Sequence, residues 1–474
     1  MNKKTKALLC ATAFAALISA RADNTAPADA SEPKSKLERF AEQDYLLGDW
    51  GGWRTKLSQH GVDFEFLYGA SVPSDVSGGI KTGSLYQGVL LMTLDLNSDK
   101  LLGYHGGTFH VGSLWLNGAK PFSDDYVGDL NKVNLVDFPN SFRLWEMYYQ
   151  QQFANDKLSV KLGDMVVDHD FIVPEYYNSL ASINFLNQTF FYPTMAFDVW
   201  DIPGFPKRNH GLPSTPFAAP GALVLWNPSP KFYAQAAVYS GDPDTTSSGT
   251  RFNMSEQEGA LSYYELGYRP NHGTNDTGLG GNYKIGAWLH TGDFNDVRDG
   301  LVNAALQAGG GPAFPVRLHH FNYGGYFLGE QQLYREVGKN DPAQQGLVGF
   351  FRASAAPADR NLAEYGFDGG VVYKGLIPSR DWDTLGLAGS YLRISDDIRQ
   401  GQQMVNRFSE GLGGPAVFSK LADYEGVVEL SYKAQMTAWW TVQPSVQRVF
   451  HPGGRVGGSI SDAWVCIVQT TLRF

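Results

Sequence analysis

Trp464-Val-Cys-Ile-Val-Gln-Thr-Thr-Leu-Arg-Phe474, the last eleven residues, decides how the rest of the chain is read. Counting back in steps of two, Phe474, Leu472, Thr470, Val468, Cys466 and Trp464 fall on one side, and Arg473, Thr471 and Gln469 on the other. Side chains alternate across a strand, so one face is mostly apolar with an aromatic at each end and the other is polar and charged. Aromatics bounding an apolar band suit a strand crossing a membrane, with the rings at its two water interfaces. The edge strand of a soluble sandwich would show the same alternation, so the other end of the chain is needed.

The N-terminus has the form of an export signal. Lys3, Lys4 and Lys6 precede an apolar run, Ala7 to Ile18, too short to span a bilayer, and Ala20-Arg21-Ala22 offers a small-residue cleavage site. We therefore expect a signal peptide over residues 1–22, a mobile Ala/Pro/Ser-rich leader over 23–45 and a barrel domain over 46–474. Cys10 leaves with the signal, and Cys466 has no intrachain disulfide partner. Beyond residue 22 no stretch approaches 18 consecutive apolar residues, which excludes apolar membrane helices. A net charge of −10 argues against nucleic acid. The mean hydropathy of −0.26 is that of a soluble protein, but a barrel looks the same because only alternate residues face lipid. Abundant Gly (54), Phe (29) and Tyr (24) point to a strand- and turn-rich chain.

Asp49, the i,i+4 neighbours Trp53 and Leu57, and Gly61 mark a short helix before the first strand. From Val62 the period becomes two. Val62, Phe64, Phe66 and Tyr68 alternate with Asp63 and Glu65. Leu158, Val160 and Leu162 oppose Ser159 and Lys161. Tyr283, Ile285 and Leu289 oppose Lys284 and His290. Val428, Leu430, Tyr432 and Ala434 oppose Glu429, Ser431 and Lys433. Some connections are short, as at Asp156-Lys157, whereas Gly241–Glu258 and Arg298–Arg317 are long and rich in Gly, Ser or Pro. Short turns at one end and long loops at the other predict an all-β, transmembrane antiparallel β-barrel with a short N-terminal helix. Cleavage would leave 452 of the 474 residues, and roughly 28 residues per strand and connection then gives roughly 16 strands. The recurrent Lys, Glu, Gln and His of the polar face suit a water-filled lumen.

Leu47-Gly-Asp-Trp-Gly-Gly-x-Arg54 resembles the carbohydrate-selective porins of the OprB family. The resemblance continues through Asp95-Leu-x4-Leu-Leu-Gly103, Arg143-Leu-Trp-Glu146-x-Tyr148-Tyr-x-Gln151, Lys157–Gly163, Val238-Tyr-x-Gly-Asp-Pro243 and Gln443-Pro-x-Val-Gln447-x3-His-Pro-Gly-Gly454. It implies passive diffusion of small sugars or polyols across the outer membrane of a Gram-negative bacterium, with no catalysis and no cofactor. It also implies contact with outer-membrane lipid and lipopolysaccharide, recognition of Phe474 by the barrel-assembly machinery, and either a monomer or a trimer.

A sugar-conducting pore needs donors and acceptors that replace water at the hydroxyls, with binding weak enough for release. On the Arg143–Gln152 stretch, Glu146, Tyr148, Gln150 and Gln152 share the lumen face, while Trp145, Met147 and Tyr149 suit lipid. The period sets Arg143 opposite Glu146, so Arg143 is lumenal only across a bulge, and otherwise forms a rim salt bridge. Lys161, Asp164, Asp168, Glu429 and Lys433 complete the candidate pore-lining set. His169 and Asp170 accompany Asp168 in a loop that is either solvated or folded inward to the constriction. Trp439, Trp440, Tyr432, Phe450, Trp464 and Phe474 are expected in the interface girdle. The family tends to carry a charge before an Asn-Gly pair near the third strand; here Leu116 precedes Asn117-Gly118, and Lys120 or Asp137 would have to substitute. No metal site is expected: His319 and His320 point to opposite faces of a strand. The competing reading is a secreted β-rich carbohydrate-active hydrolase or binding module, with Glu146 and Asp168 as its acid–base pair.

Overall fold

The computed structural model describes residues 35–474 except 119–120, 175–183, 191–211, 247, 253, 255–257, 273–275 and 337–343. The expected signal peptide and Lys120 lie outside the described residues. Sixteen long antiparallel strands form one closed barrel among the described residues. They are β1 Val62–Gly79, β2 Gln87–Asn97, β3 Gly107–Gly118, β4 Ser141–Phe153, β5 Leu158–Met165, β6 Ala219–Ser229, β7 Phe232–Ser240 and β8 Ala260–Tyr268. The second half comprises β9 Gly281–His290, β10 Asn322–Arg335, β11 Gly346–Ala355, β12 Ala363–Lys374, β13 Thr384–Ile394, β14 Tyr424–Thr437, β15 Trp440–Phe450 and β16 Ser461–Arg473. Each strand pairs with its neighbour in sequence, and β16 closes on β1 from Leu67↔Arg473 to Gly79↔Ser461. Closure leaves no strand edge unpaired in lipid.

The alternation read from the sequence is the alternation of the wall. Ile285, Leu162, Trp464 and Val468 are exposed on the outside, whereas Glu429, Lys284 and Lys161 are buried within. Connections 154–157, 230–231 and 438–439 are tight and lie at one end, the turn end. Connections 166–218, 241–259, 291–321 and 395–423 are long and lie at the other, the loop end. The first described helix, from Lys36, and the C-terminal Phe474 both lie at the turn end. No described helix is long and apolar enough to cross a membrane.

Among the described residues five α-helices stand outside the wall or cap it: α1 Lys36–Glu42, α2 Trp53–Gln59, α3 Ser98–Leu102, α4 Val297–Ala308 and α5 Asp396–Gly411. The expected helix is α2. Asp49 serves it by accepting the Thr55 N–H at 2.8 Å, and Gly61 adopts the left-handed conformation (φ 87°) just after its end. The leader is not featureless where it is described: Ser35 and Glu38 form a capping box that starts α1. At the loop end α4 and α5 pack on each other.

Two aromatic placements depart from the simple alternation. Trp145 is buried inside rather than facing lipid, because β4 carries a bulge there. Glu146 pairs with Gly112 and Leu144 with Ser113, so Trp145 is the extra residue. Tyr432 keeps its outward phase but is buried under the β12–β13 turn, bonded to Asp383 and Arg380. Trp439 is also mostly covered, its ring edge-on to Phe40. Both lie at the turn end, where connecting segments fold over the wall.

Candidate functional site

Two loops of the loop end fold back into the barrel. The β3–β4 connection runs along β1, β2 and β14–β16. The β5–β6 connection touches β4–β9, and its segment Asn184–Phe190 reaches β11–β14. The wall holds both loops by the same chemistry: an inward carboxylate accepts backbone N–H groups that would otherwise be buried without partners. Glu425 accepts from Leu130, Asn131 and Gly453 at 2.7–2.8 Å. Glu429 accepts from Leu186 at 2.8 Å and Asn187 at 3.0 Å, and also from the Ser445 hydroxyl. Glu265 accepts from Ile172 at 3.0 Å and from the Tyr233 and Tyr326 hydroxyls. Arg352 pairs with Asp368 at 2.7 Å and donates to the Thr189 carbonyl at 2.6 Å. Apolar contacts complete the seal: Phe122 and Val127 of one loop, and Phe185 and Leu186 of the other, share a core with inward Val427, Val449, Val465 and Ile467.

The bulge at Trp145 has a direct consequence for the predicted residues. It puts Arg143 and Glu146 on the same, inner side, so the condition for a lumenal Arg143 is met. Arg143 is not a rim salt bridge: it is buried, donates to the Thr246 and Asp244 carbonyls at 2.9 and 2.6 Å, and stacks over Phe217. Glu146 accepts the Val166 N–H at 3.2 Å and lies 2.8 Å from His169 Nδ1. The Trp145 ring meets His169 edge-on at 4.6 Å. Asp164 is buried, with Arg143, Asp244 and Glu146 as its charged neighbours. Asp168 sits in the inward-folded arm of the β5–β6 loop, not in a solvated one, and accepts the Thr215 N–H at 3.0 Å. Lys433 is buried on β14 near Lys374.

Most of the predicted acidic set is therefore turned towards loops, not towards open water. Leu116, which stands where the family tends to place a charge, is buried with Leu91, Leu114, Val166 and Ala218 beneath the same loop. Asp137, the suggested substitute, accepts N–H groups of Phe122 and Ser123 within the β3–β4 loop and the Gln87 side-chain amide of β2, which ties the loop to the wall. The Glu146 and Asp168 carboxylates of the hydrolase reading each hold backbone instead of facing a shared cleft. Among the described residues no cluster of His, Cys, Asp or Glu is arranged to hold a metal.

Beside them a lateral row crosses four strands, with Asp95 open, His110 and Tyr148 half-buried and Lys161 buried. Asp95 on β2 meets His110 of β3, its Oδ1 2.7 Å from Nδ1. The His110 ring stacks on Tyr148 of β4 at 4.8 Å. Lys161 Nζ of β5 lies 4.5 Å from the Tyr148 ring centre and 2.8 Å from Asp170 Oδ1. Beside it Gln150 donates to Ser159 at 2.9 Å. Acceptor, imidazole, phenol, ammonium and acceptor thus follow one another from Asp95 near the turn-end mouth to Asp170 on the inward-folded loop, and Lys161 and Asp170 compensate each other's charge. Sequence reading found Tyr148, Lys161 and Gln150 but missed Asp95 and His110. Their inward phase was visible, but the cross-strand register that sets His110 between Asp95 and Tyr148 was not.

The model of the carbohydrate-selective porin family, OprB type, matches residues 81–474. The chain is similar to Porin B of Pseudomonas aeruginosa, 28% identical over 96% of this chain and 95% of that protein. It is also similar to the putative porin QuiX of Acinetobacter baylyi, 24% identical over 91% of this chain and 94% of that protein. The high-pH structure of Pseudomonas putida OprB superposes with a TM-score of 0.75 at 26% identity, covering 92% of this chain and 99% of that one.

Proposed function

The chain belongs to the OprB family of carbohydrate-selective porins, and from that premise we propose how its lumen selects small neutral sugars. The protein is an outer-membrane sugar porin, a transport channel, and the secreted hydrolase is not favoured. The finer reading is that monosaccharides and polyols slide along the Asp95–His110–Tyr148–Lys161–Asp170 row. The observation that carries it is the stacked His110–Tyr148 pair flanked by a carboxylate and an ammonium. A sugar offers an apolar C–H face and a rim of hydroxyls. The paired rings meet the face, while Asp95, Gln150 and Lys161 exchange hydrogen bonds with the rim.

Two features support passage rather than capture. The row pairs Lys161 with Asp170 and leaves a single carboxylate, Asp95, hydrogen-bonded to His110, so it presents donors and acceptors without a strong net field for ions. Asp95, Tyr148 and Gln150 are also partly solvated, so each hydrogen bond they make to sugar replaces one to water and its net gain is small, about 1 kcal/mol. Arg143, Glu146, Asp164, Asp168, Glu429 and Lys433 shape the constriction by holding loops and setting the local field. Contacts with lipopolysaccharide, recognition of Phe474 by assembly machinery and the choice between monomer and trimer belong to this same reading as inferences from the family.

Planar-bilayer conductance tests it. Glucose added to an open channel is expected to produce transient closures that Tyr148→Ala shortens about tenfold, while ion conductance without sugar hardly changes. If Tyr148→Ala left the closures as they were, the row would not be the sugar path.

A further inference from the structure

At the turn end the segment between α1 and β1 folds under the barrel mouth and encloses a cavity of about 630 Å³. We propose that this cavity is a second saccharide site, for a neutral sugar leaving the lumenal row; the inference rests on the sugar-porin reading. Its volume lies within the range of small-molecule sites, about 300–1,000 Å³.

The cavity is built, not incidental. Arg54 donates to the Phe64 carbonyl at 2.8 Å and to the Phe474 backbone oxygen at 2.5 Å, tying the segment to both strands of the closing seam. The Leu46 N–H donates to the Arg473 carbonyl at 2.8 Å, and Trp439 Nε1 donates to the Phe40 carbonyl at 3.1 Å. Ordering such a segment costs roughly 1–2 kcal/mol per residue in backbone entropy, so these bonds across the seam fix its geometry against a real penalty.

The lining has the chemistry of a sugar site. The Arg54 and Arg473 guanidiniums lie 3.8 and 4.8 Å from the Tyr45 ring centre. Arg473 Nε sits 3.0 Å from Glu65 Oε1, and the Arg54 Nε–H is buried with no hydrogen-bond partner among the described residues. Asp63 is exposed into the cavity, and Asp95 lines it as well. Asp95 is thus shared: it closes the lumenal row through His110 and opens the cavity. A sugar released from Tyr148 therefore meets the cavity's acceptors before it meets bulk water. Carboxylates outnumber the two arginines around the cavity, so a neutral sugar is favoured over a uronate or a sugar phosphate.

Dwell-time analysis of glucose-induced closures separates this site from the row. Wild-type channels are expected to show two classes of closure. Asp63→Asn and Tyr45→Ala should each shorten one class about tenfold and change the other less than twofold, whereas Tyr148→Ala acts on the other class. Glucuronate should leave the Asp63-dependent class unpopulated. Heat-modifiable electrophoretic mobility shows that each variant has closed its barrel. A single class in wild type, or equal loss of both classes in Tyr45→Ala, would overturn the second site and leave the porin reading standing. No glucose-induced closure from any wild-type channel would overturn both.

Discussion

Glu429 and Asp95 both project inward from the barrel wall, yet they live in different chemistries. Glu429 is fully buried and accepts two backbone N–H groups and a hydroxyl of its surroundings. The Asp95 side chain is 42% exposed, meets His110, and opens on the turn-end cavity. The difference lies in what covers each position: folded-back loop residues lie over Glu429 and leave Asp95 open. Towards the loop end, long connections fall back into the lumen and cover the charges. Nearer the turn end Lys433, Glu330 and Lys161 are buried as well, whereas Asp95 is left open beside the cavity. A polar lumen face is thus two materials: buried acids that hold loop backbone, and open groups that in the proposed reading meet the sugar.

The most direct way to break this contrast is Glu429→Ala. Removing the carboxylate orphans the Leu186 and Asn187 N–H groups, a loss of about 3 kcal/mol in loop docking. The barrel should still show heat-modifiable mobility, but single-channel conductance should rise because the constriction loosens. Unchanged conductance would mean that Glu429 does not hold the loop.

Glu146→Ala should act in the same direction but less, about 2 kcal/mol, since one N–H and His169 lose their partner. Conductance is again the measure, and a rise larger than that of Glu429→Ala would reverse the ranking.

His169 supplies a pH test of the same arm. Burial pushes its imidazole down, but the facing Glu146 charge and hydrogen bond outweigh burial and hold it up at about 9. A histidine ordinarily titrates near about 6.5. Its raised folded-state value means that the docking contribution is complete below about pH 6.5 and is lost as pH rises through about 9. Conductance should be level below about pH 6.5, climb between about pH 6.5 and 9 and level off above that, and His169→Gln should remove that step. A wild-type channel indifferent to alkaline pH would show that the pair does not tether the loop.

The smallest effect is expected from Gln150→Ala, at the edge of the open row. Losing one partly solvated donor should weaken glucose closures by roughly 1 kcal/mol or less, without altering sugar-free conductance.

The wall was legible because its signal is local. Alternation in β16, β9 and β5 assigned Val468, Ile285 and Leu162 to the outside and Lys284 and Lys161 to the inside, as found. Tyr148 and Gln150 were readable for the same reason. Arg143 was readable only as a condition, because a period of two has no means of marking the extra residue at Trp145. Tyr432 was misplaced because its neighbour is Asp383 of another turn, not a residue of its own strand.

By itself, then, the amino-acid sequence determined a membrane barrel of about sixteen strands, its inner and outer faces, and membership of a sugar-porin family. Tertiary structure alone decided which inward groups are covered and which are open. The physical reason is separation along the chain. The face of a strand residue is set by its immediate neighbours, whereas the burial of Glu429 is set by Leu186, 243 residues away. The Arg54 clamp on Phe474 spans 420 residues. No local pattern encodes contacts made only when the barrel closes.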